Sequence, residues 1–552
     1  MIRLQVKSVL DKCFEKGVAA GNWSDAGKGK YTVELPKHEG QGDFSSNIAL
    51  VLAGIEKRNP REIAAAVAEG LAGEKKLFDR VEIAGPGFIN FFINHDIWRS
   101  LIPVVIDRNE KFGKSEVGKG RKVMVEFVSA NPTGPLSIGH GRQAILGDSI
   151  ARLLEATGHD VFREYYYNDA GRQMRVLGES TRARYLELLG EEAVFPEDGY
   201  QGKYIIDIAR SLVDEKGDSL KDVEDVTPFK ERAEKFIFRD ISGTLERMGI
   251  VFDNYYNERS LYEEGHIDDV VLRLREKGYV YEKDNAVWFR TTEFGQEQDR
   301  VIIKSSGEPT YRLPDIAYHR EKFRRNFDWL IDIFGSDHIA TVPDVLAGVE
   351  ALGYDPSLVT VVLHQFVTLT RDGKQVKMST RKANFITVDE LIELVGTDAV
   401  RFFFMMRRAD SQMEFDLDLA TKRSQENPVY YVQYGHARLC SIIRQAREKG
   451  LEPGNLEEVD LSLLQEPEEL NILKAVSTFP EMIETAALDL APHKAIFYFI
   501  DLAGKFHSYY NKHKVLTDDL PLTRARLALV EVLRIVIRNG LDITGITAPE
   551  KM

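Results

Sequence analysis

Two short stretches of the chain carry residue types suited to handling phosphate. The first is Asn131-Pro132-Thr133-Gly134-Pro135-Leu136-Ser137-Ile138-Gly139-His140-Gly141-Arg142. Gly139 lets backbone come close to a flat base or ribose. A helix starting here offers free N–H groups and positive potential, and His140 can donate to phosphate oxygens. A capped helix start with an incidental histidine accounts for these residues about equally well. The second stretch, Val376-Lys377-Met378-Ser379-Thr380-Arg381-Lys382, sets three cations within six residues. Such a basic loop can neutralise charge on a phosphate leaving group, although alone it is more commonly a solvated loop. Between them, Gly335-Ser336-Asp337-His338 follows a strand-like run. That position suits a ribose or adenine contact, or a helix cap.

These groups need a frame. Lys122-Val123-Met124-Val125-Glu126-Phe127-Val128 is an apolar run of the kind buried in a parallel sheet. Leu146, Ile150, Leu153 and Leu154 then share one helical face, and a second strand-like run spans Val161 to Tyr167. Strand, turn, helix, strand is a βαβ unit, and its turn is where a doubly wound sheet binds nucleotide. Further strands are expected at Trp329–Phe334 and Leu358–Leu363. The predicted fold class is multidomain α/β plus α. Residues 1-115 form a small α+β unit, with Gly85-Pro86-Gly87 turning between two apolar runs. Residues 116-395 form a Rossmann-type parallel-sheet domain with a charged insertion at about 170-300. Residues 396-552, almost wholly helical in pattern, form a bundle. Lys111 to Arg121 reads as a linker.

The chain's 552 residues exceed one compact core. A net charge of -14 confines any nucleic-acid surface to a local patch. Two cysteines, Cys13 and Cys440, cannot build a disulfide framework or a cysteine zinc site, and suit a reducing compartment. No apolar run approaches the ~18 residues of a membrane span.

The two phosphate-suited stretches together resemble the HIGH and KMSK signatures of class I aminoacyl-tRNA synthetases. The longer context resembles the arginyl-tRNA synthetases. It comprises Glu126-Phe127-Val128-Ser129-Ala130-Asn131, Arg163-Glu164-Tyr165-Tyr166-Tyr167-Asn168-Asp169-Ala170-Gly171, Asn427-Pro428-Val429-Tyr430-Tyr431-Val432-Gln433-Tyr434, and Asp398-Ala399-Val400-Arg401, which is similar to the DALR element. The ending Gly545-Ile546-Thr547-Ala548-Pro549-Glu550-Lys551-Met552 also resembles the family's. Two residues depart. Ser137 replaces the first His of HIGH with a shorter, uncharged hydroxyl. Thr380 replaces the second Lys of KMSK, with Arg381 beside it, whose planar fork is not a Lys point charge.

The resemblance implies an arginine–tRNA ligase that forms arginyl-adenylate from ATP and passes the arginyl group to the terminal ribose of tRNA(Arg), usually with tRNA required even for the first step. His140, Lys377, Ser137 and Arg381 are the implied catalytic residues. Gly139, His140, Asp337, His338, Lys377, Met378 and Ser379 are implied at ATP, with Mg2+ on its phosphates and no metal held by the protein itself. Binding a guanidinium calls for carboxylates and an aromatic wall. Tyr311 and Asp315, one helical turn apart, with Pro314 placing the turn at a helix start, match the family motif implied to contact the guanidinium, and Glu258 matches a second carboxylate implied there. Glu126 and Asn131 match residues at the α-amino and carboxylate ends. The plainer readings are a satisfied strand-end carboxylate for Glu126 and a packed core aromatic for Tyr311. Phe88 and Asn90 are implied at the outer corner of tRNA. Tyr431, Tyr434 and Arg438, on one helical face, are implied at the anticodon. L-arginine, ATP and tRNA(Arg) are the expected partners, without membrane or DNA, for a cytoplasmic monomer.

A cysteine enzyme of the same class would need metal-ligand cysteines, and a glutamine enzyme lacks this N-terminal unit and this ending. A non-catalytic tRNA-binding relative is suggested by Ser137 but opposed by the persistence of the carboxylates and Lys377. A nucleotidylyltransferase leaves the helical C-terminus unexplained.

Overall fold

A computed structural model describes residues 1–36, 38, 40–376, 386–451 and 456–552. The chain opens with helix α1 (Ile2–Ala19) and an antiparallel sheet of order β1-β2-β4-β3, built from β1 (Val33–Glu34), β2 (Phe44–Ser46), β3 (Phe78–Ala84) and β4 (Phe88–Ile93). Helices α2 (Ile48–Glu56) and α3 (Pro60–Leu71) pack on this sheet. Gly85-Pro86-Gly87 closes the β3–β4 hairpin, with Gly85 and Gly87 at positive φ. Along β4 the side chains alternate: Ile89, Phe91 and Ile93 enter the core, and Phe88, Asn90 and Phe92 take the other face. Helices α4 (His95–Arg99) and α5 (Leu101–Arg108) lead onward. The segment expected as a linker, Lys111 to Arg121, is mostly exposed and irregular, but it is anchored near its start. Phe112 is buried against Phe479, and Asn539 Nδ2 donates to the Phe112 carbonyl at 3.0 Å. Its Gly and Lys content hid one aromatic anchor.

The central part runs β5 (Lys122–Glu126), α6 (Ile138–Ala156), β6 (Asp160–Tyr167), α7 (Gly171–Leu188), α8 (Lys203–Lys216), α9 (Thr227–Arg247), β7 (Asn254–Asn257), α10 (Arg259–Glu263) and α11 (His266–Glu276). A small antiparallel sheet comes next, β8 (Val280–Lys283), β9 (Ala286–Phe289) and β10 (Arg300–Ile303), then α12 (Arg312–Arg324), β11 (Trp329–Gly335), α13 (Val342–Leu352) and β12 (Val359–His364). The main sheet is parallel, in the order β12-β11-β5-β6-β7. Val123, Met124 and Val125 are buried on both faces of β5, as a covered parallel strand requires. The winding reverses between β5 and β11, so the carboxyl ends of these two strands open the ligand crevice. The stretch expected as an insertion donates the edge strand β7, which pairs with β6. Its half-buried Asn-Tyr-Tyr-Asn carries no apolar run to announce it.

Beyond the sheet come β13 (Val367–Arg371), β14 (Lys374–Gln375), α14 (Val388–Val395), α15 (Thr397–Met405), β15 (Met413–Asp416) and α16 (Leu417–Thr421). The segment after 396, expected to be almost wholly helical, thus holds a strand. β15 runs parallel to β13, with Met413 and Phe415 buried at a two-residue period too short to stand out. Helices α17 (Pro428–Glu448), α18 (Pro467–Leu488), α19 (His493–Lys512) and α20 (Leu520–Ile543) form the C-terminal bundle.

Candidate active site

A cavity of about 880 Å³ opens at the reversal point, within the range that holds small-molecule ligands. One wall is the turn after β5. Val128 and Ser129 both adopt left-handed backbone there, at φ 68° and 44°. For a β-branched valine this is a strained conformation, and such strain gathers at functional sites. The turn is held by Tyr165, whose hydroxyl donates to the Ala130 carbonyl at 2.7 Å.

The first phosphate-suited stretch starts α6. Ser137 is its N-cap, accepting from the His140 N–H at 3.4 Å, while the backbone N–H of Ser137 donates to His140 Nδ1 at 3.3 Å. This reciprocal box satisfies two helix-end donors and turns the imidazole toward the cavity. Burial pushes His140 down to about 4, against the pull of Asp337. The imidazole is therefore neutral at pH 7. Gly139 lines the same wall, and a Cβ there would meet only Ser137 Oγ, at 3.7 Å. The space beside it is otherwise open.

At the other end two carboxylates share the space. Asp315 sits in the first turn of α12, where burial pushes it up to about 7; His319 opposes the rise, and Glu258 and Glu126 add to it. Burial raises Glu258 too, partly offset by the Tyr166 hydroxyl donating to it at 2.8 Å. Among the described residues neither carboxylate makes an ion pair. Two crowded carboxylates of this kind gain most from a cation with several donors. Tyr311 stands at the N-cap of α12, 83% exposed at the cavity rim, and is not a packed core aromatic. Asn131 lies nearby, with Nδ2 donating to Gln173 at 3.1 Å and Oδ1 accepting from the Asn168 N–H at 3.1 Å.

Glu126 lines the cavity but is already partnered. Ser129 Oγ donates to one oxygen at 2.9 Å and Lys322 Nζ to the other at 2.5 Å. Lys322, fully buried, also donates to Asp332 at 2.6 Å, and Asp332 meets His319 Nε2 at 2.9 Å. Burial pulls the Lys322 ammonium down, but Asp332 and Glu126 outweigh it and hold it up. None of Lys322, His319 and Asp332 stood out from sequence. Lys322 lies in a run of charges that reads as a solvated helix face.

Asp337 and His338 are exposed at the crevice after β11 and line the cavity. His364, at the carboxyl end of β12, lines it as well, and burial pushes it down to about 4. Its place at a strand end beside the reversal point was the signal for it. Lys377, Met378, Ser379, Thr380 and Arg381 lie outside the described residues.

Phe88 is 40% exposed on the outer face of β4, whereas Asn90 on that face is only 4% exposed and offers little edge to a base. On α17, Arg438 stacks over Tyr434 at 4.9 Å and over Tyr510 at 4.7 Å. Tyr430 stacks on Tyr434 at 5.7 Å, and Tyr431 meets His507 of α19 at 4.5 Å. The three residues singled out from sequence are thus half-exposed members of a larger aromatic face that includes Tyr430, His507 and Tyr510.

Known proteins share this layout. Family models described as arginyl tRNA synthetase N terminal domain, tRNA synthetases class I (R) catalytic domain, and DALR anticodon binding domain match residues 1–93, 102–401 and 432–552. The parallel sheet with its reversal-point cavity is thereby the catalytic domain of a class I tRNA synthetase. The arginine–tRNA ligase of Desulfotalea psychrophila is 73% identical over 552 residues, 100% of both chains. That of Citrifermentans bemidjiense is 47% identical, over 99% of this chain and 100% of its own. The chain belongs to the arginyl-tRNA synthetase family. The solved arginyl-tRNA synthetase of Thermus thermophilus, 21% identical, shares the fold, with a TM-score of 0.76 and 100% coverage of both chains.

Proposed function

We propose that the reversal-point cavity is where L-arginine and ATP react, with the guanidinium between Asp315 and Glu258 and the phosphates at the start of α6. The chain catalyses the ATP-dependent ligation of arginine to tRNA(Arg). The observation that carries the site assignment is one cavity joining a carboxylate pair that has no ion-pair partner among the described residues to a helix N-terminus bearing a neutral imidazole.

In the first step the arginine carboxylate attacks the α-phosphorus of ATP, and the bond to pyrophosphate breaks. In the second, the 2′-hydroxyl of the terminal tRNA ribose attacks the arginyl carbonyl and AMP departs. No side chain becomes a nucleophile. The work is positioning and charge stabilisation. His140 donates from Nε2, the α6 N–H groups face the phosphates, and Lys377 and Arg381 are assigned to the leaving pyrophosphate from sequence. Gly139, Asp337, His338, Met378 and Ser379 are assigned to ATP, Asn131 and Glu126 to the α-amino and carboxylate ends of arginine, and Tyr311 to its side chain. Magnesium, which neutralises phosphate charge, belongs with ATP. Among the described residues the only His and carboxylate group close enough to cage an ion is Glu466, Glu468 and His513 in the bundle, and there Lys512 already pairs with Glu468 at 2.6 Å.

Phe88 is assigned to the tRNA corner and the Tyr431, Tyr434 and Arg438 face to the anticodon loop, where aromatic rings beside a cation suit unstacked bases. The same reading makes the enzyme a monomer of the cytoplasm. Among the described residues no helix is long and apolar enough to cross a membrane.

The test is ATP–pyrophosphate exchange with each of the twenty amino acids, with and without tRNA(Arg). Exchange with arginine alone, and only with tRNA present, is expected. Tight tRNA binding without exchange for any amino acid overturns the site assignment and favours a binding-only relative, the alternative that Ser137 suggests.

A further inference from the structure

One turn of α15 carries two residues that face different parts of the molecule. Asp398 is held by the bundle and the chain's tail. Gln433 of α17 donates to its Oδ2 at 2.7 Å, the Thr547 N–H donates to Oδ1 at 3.1 Å, and the Thr547 hydroxyl donates to Oδ2. Arg401 is fully buried where three segments meet. Its Nη2 donates to Asp148 Oδ2 of α6 at 2.5 Å and to the Thr544 carbonyl at 3.0 Å, and its Nη1 donates to the Met248 carbonyl after α9 at 2.9 Å. Gly545 has φ 70°, and a Cβ there would lie 2.4 Å from Nη2, so the tail is shaped around the guanidinium.

A buried guanidinium is a costly way to join helices when apolar packing would serve. What it adds is direction, because its planar fork fixes the angles of every partner. Asp148 is eight residues beyond His140 on the same helix, about 12 Å along its axis. Gln433 lies between Tyr431 and Tyr434 on α17. A continuous set of hydrogen bonds and helix segments therefore joins the aromatic face of the bundle to the helix that opens the cavity.

We propose that Asp398 and Arg401 are positioning residues through which tRNA seated on α17 sets the placement of α6, and with it Ser137, Gly139 and His140. The proposal rests on the assignment of α17 to the anticodon loop. It requires that anticodon contact and Arg401 act on the rate as one unit, so their losses do not multiply.

The experiment is steady-state aminoacylation by the full chain, using tRNA(Arg) and a transcript with its anticodon loop replaced. Native chain is compared with Arg401→Lys and Gln433→Leu, and tRNA affinity is measured in parallel. For the native chain, loop replacement is expected to lower kcat by at least about tenfold. Arg401→Lys is expected to lower kcat on intact tRNA by about tenfold or more, leave KM for tRNA within about twofold, and abolish most of the further loss on loop replacement. Gln433→Leu is expected to show the same collapse, and is read alone if Arg401→Lys fails to fold. Losses that multiply, or a change confined to KM, overturn the proposal. If loop replacement weakens binding without touching kcat in the native chain, the anticodon assignment stands and the junction fails. If it changes neither, that assignment itself falls, and the junction with it.

Discussion

The Ser137 backbone N–H donates to His140 Nδ1 at 3.3 Å, and that contact makes Nδ1 the accepting nitrogen of the ring. With Nδ1 accepting, the proton sits on Nε2. The Ser137 hydroxyl is occupied as well, lying 3.2 Å from Nδ1 and capping His140 N at 3.4 Å. A serine at the first position of the HIGH-like stretch is thus a helix cap first. Ser137→Ala keeps the backbone contact and loses the cap. It is expected to cost about 1 kcal/mol of stability, read by thermal unfolding, with kcat within about threefold of native. A hundredfold fall in kcat would mean that the hydroxyl touches substrate.

His140 is held near 4 by burial, so it does not change charge around neutrality. His140→Ala is expected to slow arginine activation by on the order of a hundredfold. The native-to-variant rate ratio should be the same at pH 6 and pH 8. A ratio that shifts tenfold between those two measurements would show that the imidazole titrates there and acts as a cation.

Asp315 is raised to about 7, so near neutrality its carboxyl is partly protonated. A guanidinium binds the ionised form. KM for arginine should therefore rise as pH falls below 7, by up to about tenfold per unit, and binding near pH 7 should release a proton, visible by calorimetry in buffers of different ionisation enthalpy. For stability the sign is opposite to that of a salt-bridged acid. The folded carboxyl holds its proton more tightly than the unfolded one, so its contribution falls as pH rises from about 4 to about 7. Asp315→Asn should melt higher than the native chain at pH 8 while raising KM for arginine about a hundredfold. A variant that melts lower at pH 8 refutes the electrostatic account.

Lys322 lies between Glu126 and Asp332 with no exposure. Lys322→Met leaves two buried carboxylates facing one another and is expected to cost about 3–5 kcal/mol. Adding Asp332→Asn to it should recover part of that loss. Chemical denaturation of the single and double variants tests this, and a double variant less stable than Lys322→Met alone would exclude the pairing as the cause.

The βαβ frame was legible because its strands are continuous apolar runs and its helix repeats at the helical period. The edge strand β7 was not, since Asn254-Tyr255-Tyr256-Asn257 is half-buried and takes its conformation from pairing with β6. The same holds within the site. Asp315 and Tyr311 share a turn, so a short contiguous motif carried the resemblance that named them. Lys322 meets Glu126 and Asp332 across separations of 196 and 10 residues, and only the parallel pairing of β5 with β11 brings those carboxylates to one lysine. The strained Val128 is invisible to composition, because nothing marks a valine for left-handed backbone.

The buried anchor Phe112 bears on how the molecule is made. Its partner Phe479, like Glu481, which holds Arg3 at 2.7 Å, and Lys474, which holds Asp43 at 2.6 Å, belongs to α18. On a ribosome adding 5–20 residues per second, Phe112 emerges roughly 20–70 s before Phe479. The earliest-made surfaces thus stay uncovered through most of translation, and the C-terminal helices close the molecule. A truncation that removes α18, α19 and α20 would leave the N-terminal unit with exposed aromatic docking sites, and such a fragment is the form most prone to aggregate.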